Sequence, residues 1–283
     1  MAEVDLQNSE VCRLCGGVAK HIFYKKILRR YDVNFFKCSG CGSQQTEKAY
    51  WLDEAYSIPG LHIDVGAASR SVKNWLSASA FLDRLAIPRS ALGVDFGSGP
   101  GLFASLMRNG GRDFRSYDSY TRPTFSSYFA VENVEGLNPE IITAFEVFEH
   151  LPEPRKTMDA LLSMRAPLVI FTTWPVDGQG EDWIYYLPDC GQHIFFFSTD
   201  ALRMIGRNHG YTMTICQYFY IYFDEGKLSQ DQVAAIDDFS LNAVAIFKGA
   251  AFDTINRVVN GNEHIDADLA TAMARFAGEL GDG

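Results

Sequence analysis

A short apolar stretch that runs directly into three closely spaced glycines constrains the fold of this chain most. Residues 92–96 alternate apolar with smaller or polar side chains, as a β-strand does. Gly97, Gly99 and Gly101 follow at every second position, and the apolar spacing of residues 102–107 is typical of a helix. A strand that turns through glycines into a helix exposes backbone N–H groups at the helix N-terminus, where a nucleotide-like ligand can approach closely.

The spacing of the glycines separates this loop from two common nucleotide-binding patterns. The dinucleotide fingerprint G-x-G-x-x-G would need its third glycine at Leu102, and the Gly-Lys-Ser/Thr of a phosphate-binding loop is absent. A D-x-G-x-G-x-G pattern beginning at Asp95 remains. Asp118 ends the next predicted strand, 21 positions after Gly97. Nucleotide-binding βαβ units place an acidic residue there to accept hydrogen bonds from ribose hydroxyls.

Composition indicates a folded protein and argues against nucleic-acid binding. With 283 residues and 47% apolar side chains, the chain can form one large core and a small appendage. The net charge of −10 argues against a nucleic-acid partner, because such proteins usually present a basic surface. The acidic N-terminus does not resemble a signal peptide, and no apolar run approaches the ~18 residues that span a bilayer. We therefore expect a cytoplasmic protein with no membrane partner.

Four of the six cysteines form two C-x2-C pairs, namely Cys12 with Cys15 and Cys38 with Cys41. Without a secretion signal, cysteines are expected as metal ligands or free thiols rather than disulfides. Each pair is followed by glycine, and 22 residues separate the pairs, which is typical of a zinc ribbon. Four thiolates close a tetrahedral site. This arrangement suits a structural zinc ion and leaves no open position for catalysis.

From residue 91 onward, strand and helix signals alternate, which predicts an α/β domain with a mostly parallel sheet. Strands are predicted at 22–24, 33–37, 92–96, 113–118, 140–145 and 167–172, and near 211–223 and 241–248. Helices are predicted at 69–87, 101–109, 154–165 and 198–209. The expected organisation is a zinc-ribbon module over 1–48, a connector or lid segment with a helix over 49–90, the main domain over 91–250 and a C-terminal helical tail over 251–283.

Side chains that could act as acids, bases or ligands follow two of the predicted strands. Glu146, Glu149 and His150 come directly after the strand at 140–145, and a helical turn would bring the three side chains to one face. Open α/β sheets bind ligands at this end of their strands. His193 precedes an aromatic, strand-like run, and its pKa near working pH makes it a natural general base. A purely structural role is the alternative for each residue.

Residues 91–250 resemble a class I S-adenosylmethionine (SAM) methyltransferase. The stretches that carry the resemblance are Asp95–Gly101, Asp118, Phe145–His150 and His193–Ser198. The resemblance implies a Rossmann-like, seven-stranded, mostly parallel sheet and methyl transfer from SAM. The residues it implies for cofactor binding are Asp95, Gly97, Ser98, Gly99, Gly101, Asp118 and Glu146.

The N-terminal cysteine module is similar to that of bacterial methyltransferases of sugar and polysaccharide biosynthesis, including the nucleotide-sugar C-methyltransferases. This similarity implies a small, sugar-like acceptor. Because methyl transfer is an in-line displacement, the protein must align the nucleophile and remove its proton. We assign His193 as general base, with Glu149 and His150 orienting the acceptor or assisting. Those C-methyltransferases usually carry Tyr-x-Glu-His where this chain has Cys190-Gly-Gln-His193, so the acceptor atom stays open among oxygen, nitrogen and carbon.

The segment that precedes the main domain offers candidate acceptor contacts. Tyr56, Arg70 and Asn74 lie in the connector, which could cover a ligand pocket, and we predict that they bind substrate. Ordinary surface residues are the alternative. The number of copies in the assembly is not predicted.

Two other functions stay open. Glu146, Glu149, His150 and His193 also match the divalent-metal motif of some O-methyltransferases, in which a metal ion binds neighbouring hydroxyls and lowers their pKa. A catalytically inactive methyltransferase fold that acts as an adaptor through its zinc ribbon is the second alternative.

Overall fold

A computed structural model describes residues 8–57, 64–125, 127–260 and 262–281. Its strands are β1 Ser9–Val11, β2 Val18–Ile27, β3 Tyr31–Cys38, β4 Gln44–Thr46, β5 Gly93–Phe96, β6 Phe114–Tyr117, β7 Ile141–Phe145, β8 Leu168–Thr172, β9 Phe195–Phe196, β10 Thr212–Ile215 and β11 Tyr220–Phe223. Its α-helices are α1 Leu52–Ser57, α2 Ala67–Arg84, α3 Leu102–Asn109, α4 Pro154–Ser163, α5 Thr199–Asn208, α6 Gln230–Asn260 and α7 Asn262–Gly281.

The chain forms two compact units, each assembled from three separate stretches. The first unit comprises Met1–Val65, Glu146–Ser163 and Thr172–Met213. The second unit comprises Gly66–Phe145, Met164–Phe171 and Thr214–Gly283.

The first unit is built on an antiparallel sheet in the order β1-β2-β3-β4-β9. The hairpin of β2 and β3 lies between the two cysteine pairs and contains both short strands predicted there. Its neighbour β4 pairs with β9, where Gln44 is opposite Phe196 and Gln45 is opposite Phe195. A strand from far along the chain therefore completes the sheet of the cysteine-bearing segment.

Aromatic side chains form much of the core of the first unit. The rings of Phe35, Tyr186 and Phe196 are buried, and their centroids are 4.9–6.1 Å apart. Burying an aromatic side chain contributes about 1.5–3 kcal/mol. Polar atoms in this core are paired: Tyr186 donates its hydroxyl to Oε1 of Gln44 at 2.6 Å, and the indole of Trp51 donates to the carbonyl of Gly191 at 2.7 Å. The unit is thus held together across its separate stretches.

The second unit contains a sheet in the order β10-β11-β8-β7-β5-β6. β5 runs parallel to both β6 and β7, whereas β11 is antiparallel to β8. Strands β7 and β8 are buried along almost their whole length, as near-continuous apolar strands of parallel sheets are. The predicted α/β class with a mostly parallel, Rossmann-like sheet is confirmed.

Within the described residues this sheet has six strands rather than the seven predicted. On the outer side of β6 the chain makes a single parallel bridge, between Ser116 and Ala130. Residues 241–248, predicted as a strand, lie in α6. Ile236, Phe239 and Ala243 are buried at helical spacing, and Phe239 packs its ring 5.0 Å from that of Phe81 on α2. A short apolar run does not distinguish a strand from a buried helix, so tertiary packing determines that residues 241–248 are helical.

The helices predicted at 69–87, 101–109, 154–165 and 198–209 are present, and their ends lie within three residues of the predicted ones. In the part of the chain that the structure describes, no helix is both long and apolar enough to cross a membrane.

Candidate functional site

The glycine loop of the second unit adopts backbone geometry that depends on glycine. Gly99 and Gly101 have φ of +53° and +82°, in the left-handed region that side chains with a Cβ disfavour. The loop is attached to the second strand of the unit, because the N–H groups of Gly97 and Ser98 both donate to the carbonyl of Tyr117, at 2.8 and 3.0 Å. α3 then begins directly after Gly101. The strand–loop–helix predicted for this stretch is confirmed.

Space and unsatisfied polar groups beside the loop fit a bound cofactor. A Cβ added at Gly99 would meet nothing within 4 Å, whereas one at Gly101 would lie 2.9 Å from the carbonyl oxygen of Phe125. The hydroxyl oxygens of Ser98 and Ser116 are buried and have no hydrogen-bond partner among the residues that the structure describes. Buried polar atoms are normally satisfied, so these two hydroxyls are available to a ligand with hydrogen-bonding groups.

Asp118 stabilises the same loop. Its carboxylate accepts hydrogen bonds from the backbone N–H groups of Gly99 at 2.8 Å, Tyr120 at 2.8 Å and Thr121 at 2.7 Å. A carboxylate has about four acceptor positions, so one remains for a ribose hydroxyl. The predicted ribose ligand is therefore also the residue that holds the loop.

Asp95 lies on β5 and is buried. It accepts a hydrogen bond from the hydroxyl of Thr143 at 2.7 Å. Burial raises the pKa of Asp95 to about 7, the bond from Thr143 opposes this rise, and the negative charge of Asp118 adds to it. Its carboxyl group is thus balanced between its two protonation states near neutral pH.

The first unit gathers the second set of predicted residues into what we call the carboxylate–histidine cluster: Glu146, Glu149, His150 and His193. Glu146 directly follows β7 with φ of +54°, which is uncommon for a residue with a side chain. Its N–H donates to the hydroxyl of Thr172 at 3.0 Å and lies 3.2 Å from the carbonyl of that residue. The next turn, Phe148–His150, is a 3-10 helix. This turn directs the side chain of Glu149 into the protein, where it is fully buried.

Tyr185 joins the two carboxylates of the cluster. Its hydroxyl lies 2.6 Å from Oε1 of Glu149 and 3.0 Å from Oε2 of Glu146, and its one proton can be donated to one of them at a time. Thr173 donates to the other oxygen of Glu149 at 3.2 Å. Burial, and then the charge of Glu146, raise the pKa of Glu149 to about 8, against hydrogen bonds from Tyr185, from the backbone N–H of Glu149 and from Thr173, which lower it.

His193 is buried, and its protonation pattern is determined by a backbone contact. Nδ1 lies 2.7 Å from the carbonyl oxygen of Tyr185. Because a carbonyl only accepts, Nδ1 carries the proton and Nε2 is the acceptor atom of the neutral ring. The ring of His150 lies 4.8 Å away at 90°, and the hydroxyl of Tyr56 lies 3.4 Å from Nδ1 of His150. Tyr56 is therefore the one predicted acceptor-binding residue that the described contacts connect to the cluster.

Ligand atoms of Glu149, His150 and His193 all lie within 4.8 Å of one another, so the three could hold a metal ion. Glu146 is not part of that triad, and its carboxylate instead accepts from Tyr185.

The other two residues predicted to bind the acceptor, Arg70 and Asn74, belong to α2 of the second unit. They lie one turn apart, with Arg70 exposed and Asn74 half-buried.

Three residues of the cluster's surroundings were not predicted: Thr173, Trp174 and Tyr185. Thr173 and Trp174 directly follow β8. Because open α/β sheets bind ligands at the carboxyl ends of their strands, both could have been predicted from their position. The aromatic stretch around Tyr185 carried no comparable signal, because its contact with Glu146 joins residues 39 positions apart.

The four predicted zinc ligands converge in the first unit. The Sγ atoms of Cys12, Cys15, Cys38 and Cys41 all lie within 4.8 Å of one another. The separations are 3.7 Å for Cys12 and Cys41 and 3.4 Å for Cys15 and Cys38, far longer than the ~2.05 Å of a disulfide. Four sulfurs about 2.3 Å from a tetrahedral zinc ion are about 3.8 Å apart, so the donor set fits that ion.

Comparisons with solved structures found methyltransferases. One is the magnesium protoporphyrin IX methyltransferase of Synechocystis PCC 6803, at 14% identity, 60% coverage of this chain, 90% of that chain and a TM-score of 0.42. A second is the plantazolicin methyltransferase BamL, at 13% identity, 74% and 89% coverage and a TM-score of 0.48. A third is the 1,6-didemethyltoxoflavin-N1-methyltransferase of Burkholderia thailandensis, at 15% identity, 62% and 84% coverage and a TM-score of 0.42.

A search of curated proteins found no match. The family model described as "Methyltransferase domain" matches residues 73–215, which is half of the chain and includes the glycine loop, Asp118 and the carboxylate–histidine cluster. The sheet topology described above is that of the class I methyltransferase fold. The chain therefore belongs to the methyltransferase-domain family and is a SAM-dependent methyltransferase.

Proposed function

We propose that this methyltransferase modifies a hydroxyl-bearing small molecule of the sugar or nucleotide-sugar class, with His193 as general base. The acceptor class is supported by the similarity of the N-terminal cysteine module to sugar-modifying methyltransferases. It is also supported by the chemistry of the cluster, whose carboxylates and imidazoles can accept hydrogen bonds from several hydroxyl groups.

The observation that carries the role of His193 is its 2.7 Å contact from Nδ1 to the carbonyl of Tyr185. This contact leaves Nε2 as the basic atom of a ring whose orientation is held by the backbone. A base must come within about 2.6–3.2 Å of the heavy atom that carries the proton, and a ring held in one orientation favours such an approach. We propose that Nε2 would remove the acceptor's proton as the nucleophile bonds to the methyl carbon and displaces the neutral thioether of the donor, whose sulfur keeps the electron pair of the broken carbon–sulfur bond.

SAM supplies an electrophilic methyl group when it is bound. We propose that the backbone of Gly97, Gly99 and Gly101 lies against the cofactor, with Ser98 as a polar contact and one oxygen of Asp118 accepting from a ribose hydroxyl. Asp95, whose carboxyl is buried at the base of the loop, supports this arrangement from β5. Glu146, also predicted for the cofactor, has its carboxylate oriented by Tyr185.

Glu149 and His150 complete the proposed acceptor side. Glu149 is held by two hydroxyl donors, Tyr185 and Thr173, so its position is determined before any substrate binds. His150 is half-buried and contacts Tyr56, which could extend the acceptor site. We propose that these residues orient the acceptor through hydrogen bonds.

The experiment combines a binding and a turnover measurement. Wild type and His193→Ala are compared by calorimetry with SAM, and by transfer of labelled methyl groups to a panel of free and nucleotide-linked hexoses. We expect equal SAM affinity and a loss of turnover of about 10²–10⁴-fold in the variant. Full turnover of His193→Ala would eliminate it as the base, and a wild type that methylates none of the sugars would overturn the acceptor class.

A metal-assisted O-methyltransferase is the second candidate function, because Glu149, His150 and His193 can place three ligand atoms around one ion. A divalent ion there would lower the pKa of bound acceptor hydroxyls. Turnover is compared before and after dialysis against a chelator, at a concentration that leaves the protein's zinc content unchanged. Loss of turnover that Mg²⁺ or Mn²⁺ restores would favour this function, and unchanged turnover would rule it out.

We also propose that the four cysteine thiolates bind a structural zinc ion. Backbone N–H groups point at the sulfurs, with Gly17 donating to Cys15 at 3.4 Å and Gly40 donating to Cys38 at 3.3 Å. Such bonds stabilise thiolates, which are the form that binds zinc.

A further inference from the structure

An exposed tryptophan is stacked beside the carboxylate–histidine cluster. Trp174 follows the end of β8 by two residues, and 54% of its surface is exposed. Its indole lies parallel to the ring of Tyr185, with centroids 5.2 Å apart and planes at 15°. Trp51 and Trp75, by contrast, are almost entirely buried. Trp174 thus presents a large apolar surface to solvent while its stack on Tyr185 holds one face.

The stack connects the indole to the candidate catalytic residues. Tyr185, on one face of Trp174, contacts Glu146 and Glu149 through its hydroxyl and His193 through its carbonyl. Neighbouring Thr173 is itself a hydrogen-bond donor to Glu149. All of these residues belong to the first unit. The orientation of Trp174 is therefore coupled to that of the cluster by short contacts.

The combination of groups indicates what would rest on the indole. The C–H face of a hexose is apolar and matches an aromatic face, whereas its hydroxyls project around the edge of the ring and need hydrogen-bond partners. The half-buried carboxylate of Glu146 can supply such a partner. Its negative charge also repels an anion, so the part of the acceptor at this position would be a neutral, hydroxyl-bearing ring rather than a phosphate.

We propose that Trp174 is the stacking platform for the sugar ring of the acceptor. This inference rests on the proposed sugar acceptor and adds the residue that would bind its apolar face. Trp174 then determines acceptor affinity, and the bond-making step depends on His193.

The test compares steady-state kinetics of wild type, Trp174→Ala, Trp174→Phe and Trp174→Tyr. The donor is labelled SAM, and the acceptors are UDP-, dTDP-, GDP- and CDP-hexoses together with methyl hexosides. Tyr24→Ala, which removes an exposed aromatic ring from β2 of the same unit, is the matched control. SAM affinity is measured by calorimetry, and the number of copies per assembly by light scattering.

For any sugar that wild type methylates, we expect Trp174→Ala to raise the acceptor KM by about five- to tenfold. The variant's kcat and SAM affinity should stay within about twofold of wild type, and Phe or Tyr at this position should restore most of the loss. An acceptor KM unchanged in Trp174→Ala would overturn the platform while leaving the proposed function intact. A changed assembly state with an unchanged KM would assign the indole to a protein interface and also overturn it. Failure of wild type to methylate any sugar would overturn the proposed acceptor class and the platform together.

Discussion

Nδ1 of His193 lies 2.7 Å from the backbone carbonyl of Tyr185, and the hydroxyl of the same tyrosine lies 2.6 Å from Glu149. One residue thus orients the candidate base through its main chain and a buried carboxylate through its side chain. The two functions can be separated by mutation, because a change at the hydroxyl leaves the carbonyl in place.

Tyr185→Phe removes only the hydroxyl that the two carboxylates share. At a pH above about 8, where Glu149 is ionised, we expect this substitution to lower the free energy of unfolding by about 1.5–3 kcal/mol, because a hydrogen bond to a charged group is lost. Tyr186→Phe is the control, since its hydroxyl donates to the neutral amide oxygen of Gln44 and its loss should cost about 0.5–1.5 kcal/mol. Urea denaturation of the three proteins measures the difference. A cost for Tyr186→Phe equal to or above that for Tyr185→Phe would contradict this prediction.

Gly99→Ala and Gly101→Ala distinguish a side chain that would fill space needed by the cofactor from one that would collide with the protein backbone. Both positions have positive φ, so both variants carry a strain of about 1–2 kcal/mol. Only at Gly101 would the new Cβ also press on a backbone oxygen, that of Phe125. We expect Gly101→Ala to melt at a lower temperature than Gly99→Ala, and Gly99→Ala to remain folded while losing affinity for SAM. Thermal unfolding and calorimetry with SAM test this, and equal stabilities of the two variants would be the contrary result.

The raised pKa of Asp95 predicts how stability depends on pH. Between its unfolded value of 3.8 and about 7, folded Asp95 holds a proton that the unfolded chain has released, so stability falls as pH rises through this window. Asp95→Asn keeps an oxygen that can accept from Thr143 but does not ionise. The free energy of unfolding of Asp95→Asn minus that of wild type should therefore increase as pH rises from 3.8 to about 7, by up to about 4 kcal/mol in total. Above about pH 7 this difference should stay constant.

Urea titrations of both proteins without cofactor, at several pH values from about 5.5 to 8.5, measure this difference. Parallel pH profiles for wild type and Asp95→Asn would show that Asp95 does not titrate in this window.

Zinc removal should affect the first unit most directly. We expect one zinc ion per chain by elemental analysis and a loss of bound zinc in Cys15→Ser, because three thiolates and a hydroxyl form a poorer site. Cys190→Ser is the control, since Cys190 lies outside the cysteine cluster. The β2–β3 hairpin carries ligands at or near both ends, so its amide protons should exchange faster in Cys15→Ser. Full zinc occupancy in that variant would refute the four-cysteine site.

The fold class and the cofactor loop could be predicted because their signals are local. Positive φ at Gly99 and Gly101 follows from residue type, and the position of Asp118 follows from the length of one strand–helix–strand unit. The strand count could not be predicted in the same way. Residues 241–248 are apolar in a pattern that suits a strand, and they form a helix because they pack beside α2.

By itself, the sequence determined the glycine loop, the two cysteine pairs and the acidic and histidine residues that follow the strands, because turn geometry and ligand spacing depend on residues close together in the chain. Only the tertiary structure brought β9 onto β4 and placed Tyr185 between Glu146, Glu149 and His193. Those contacts join stretches that are distant in sequence. The aromatic core of the first unit favours them, because burying it requires the cysteine-bearing segment and the chain after β8 to pack together.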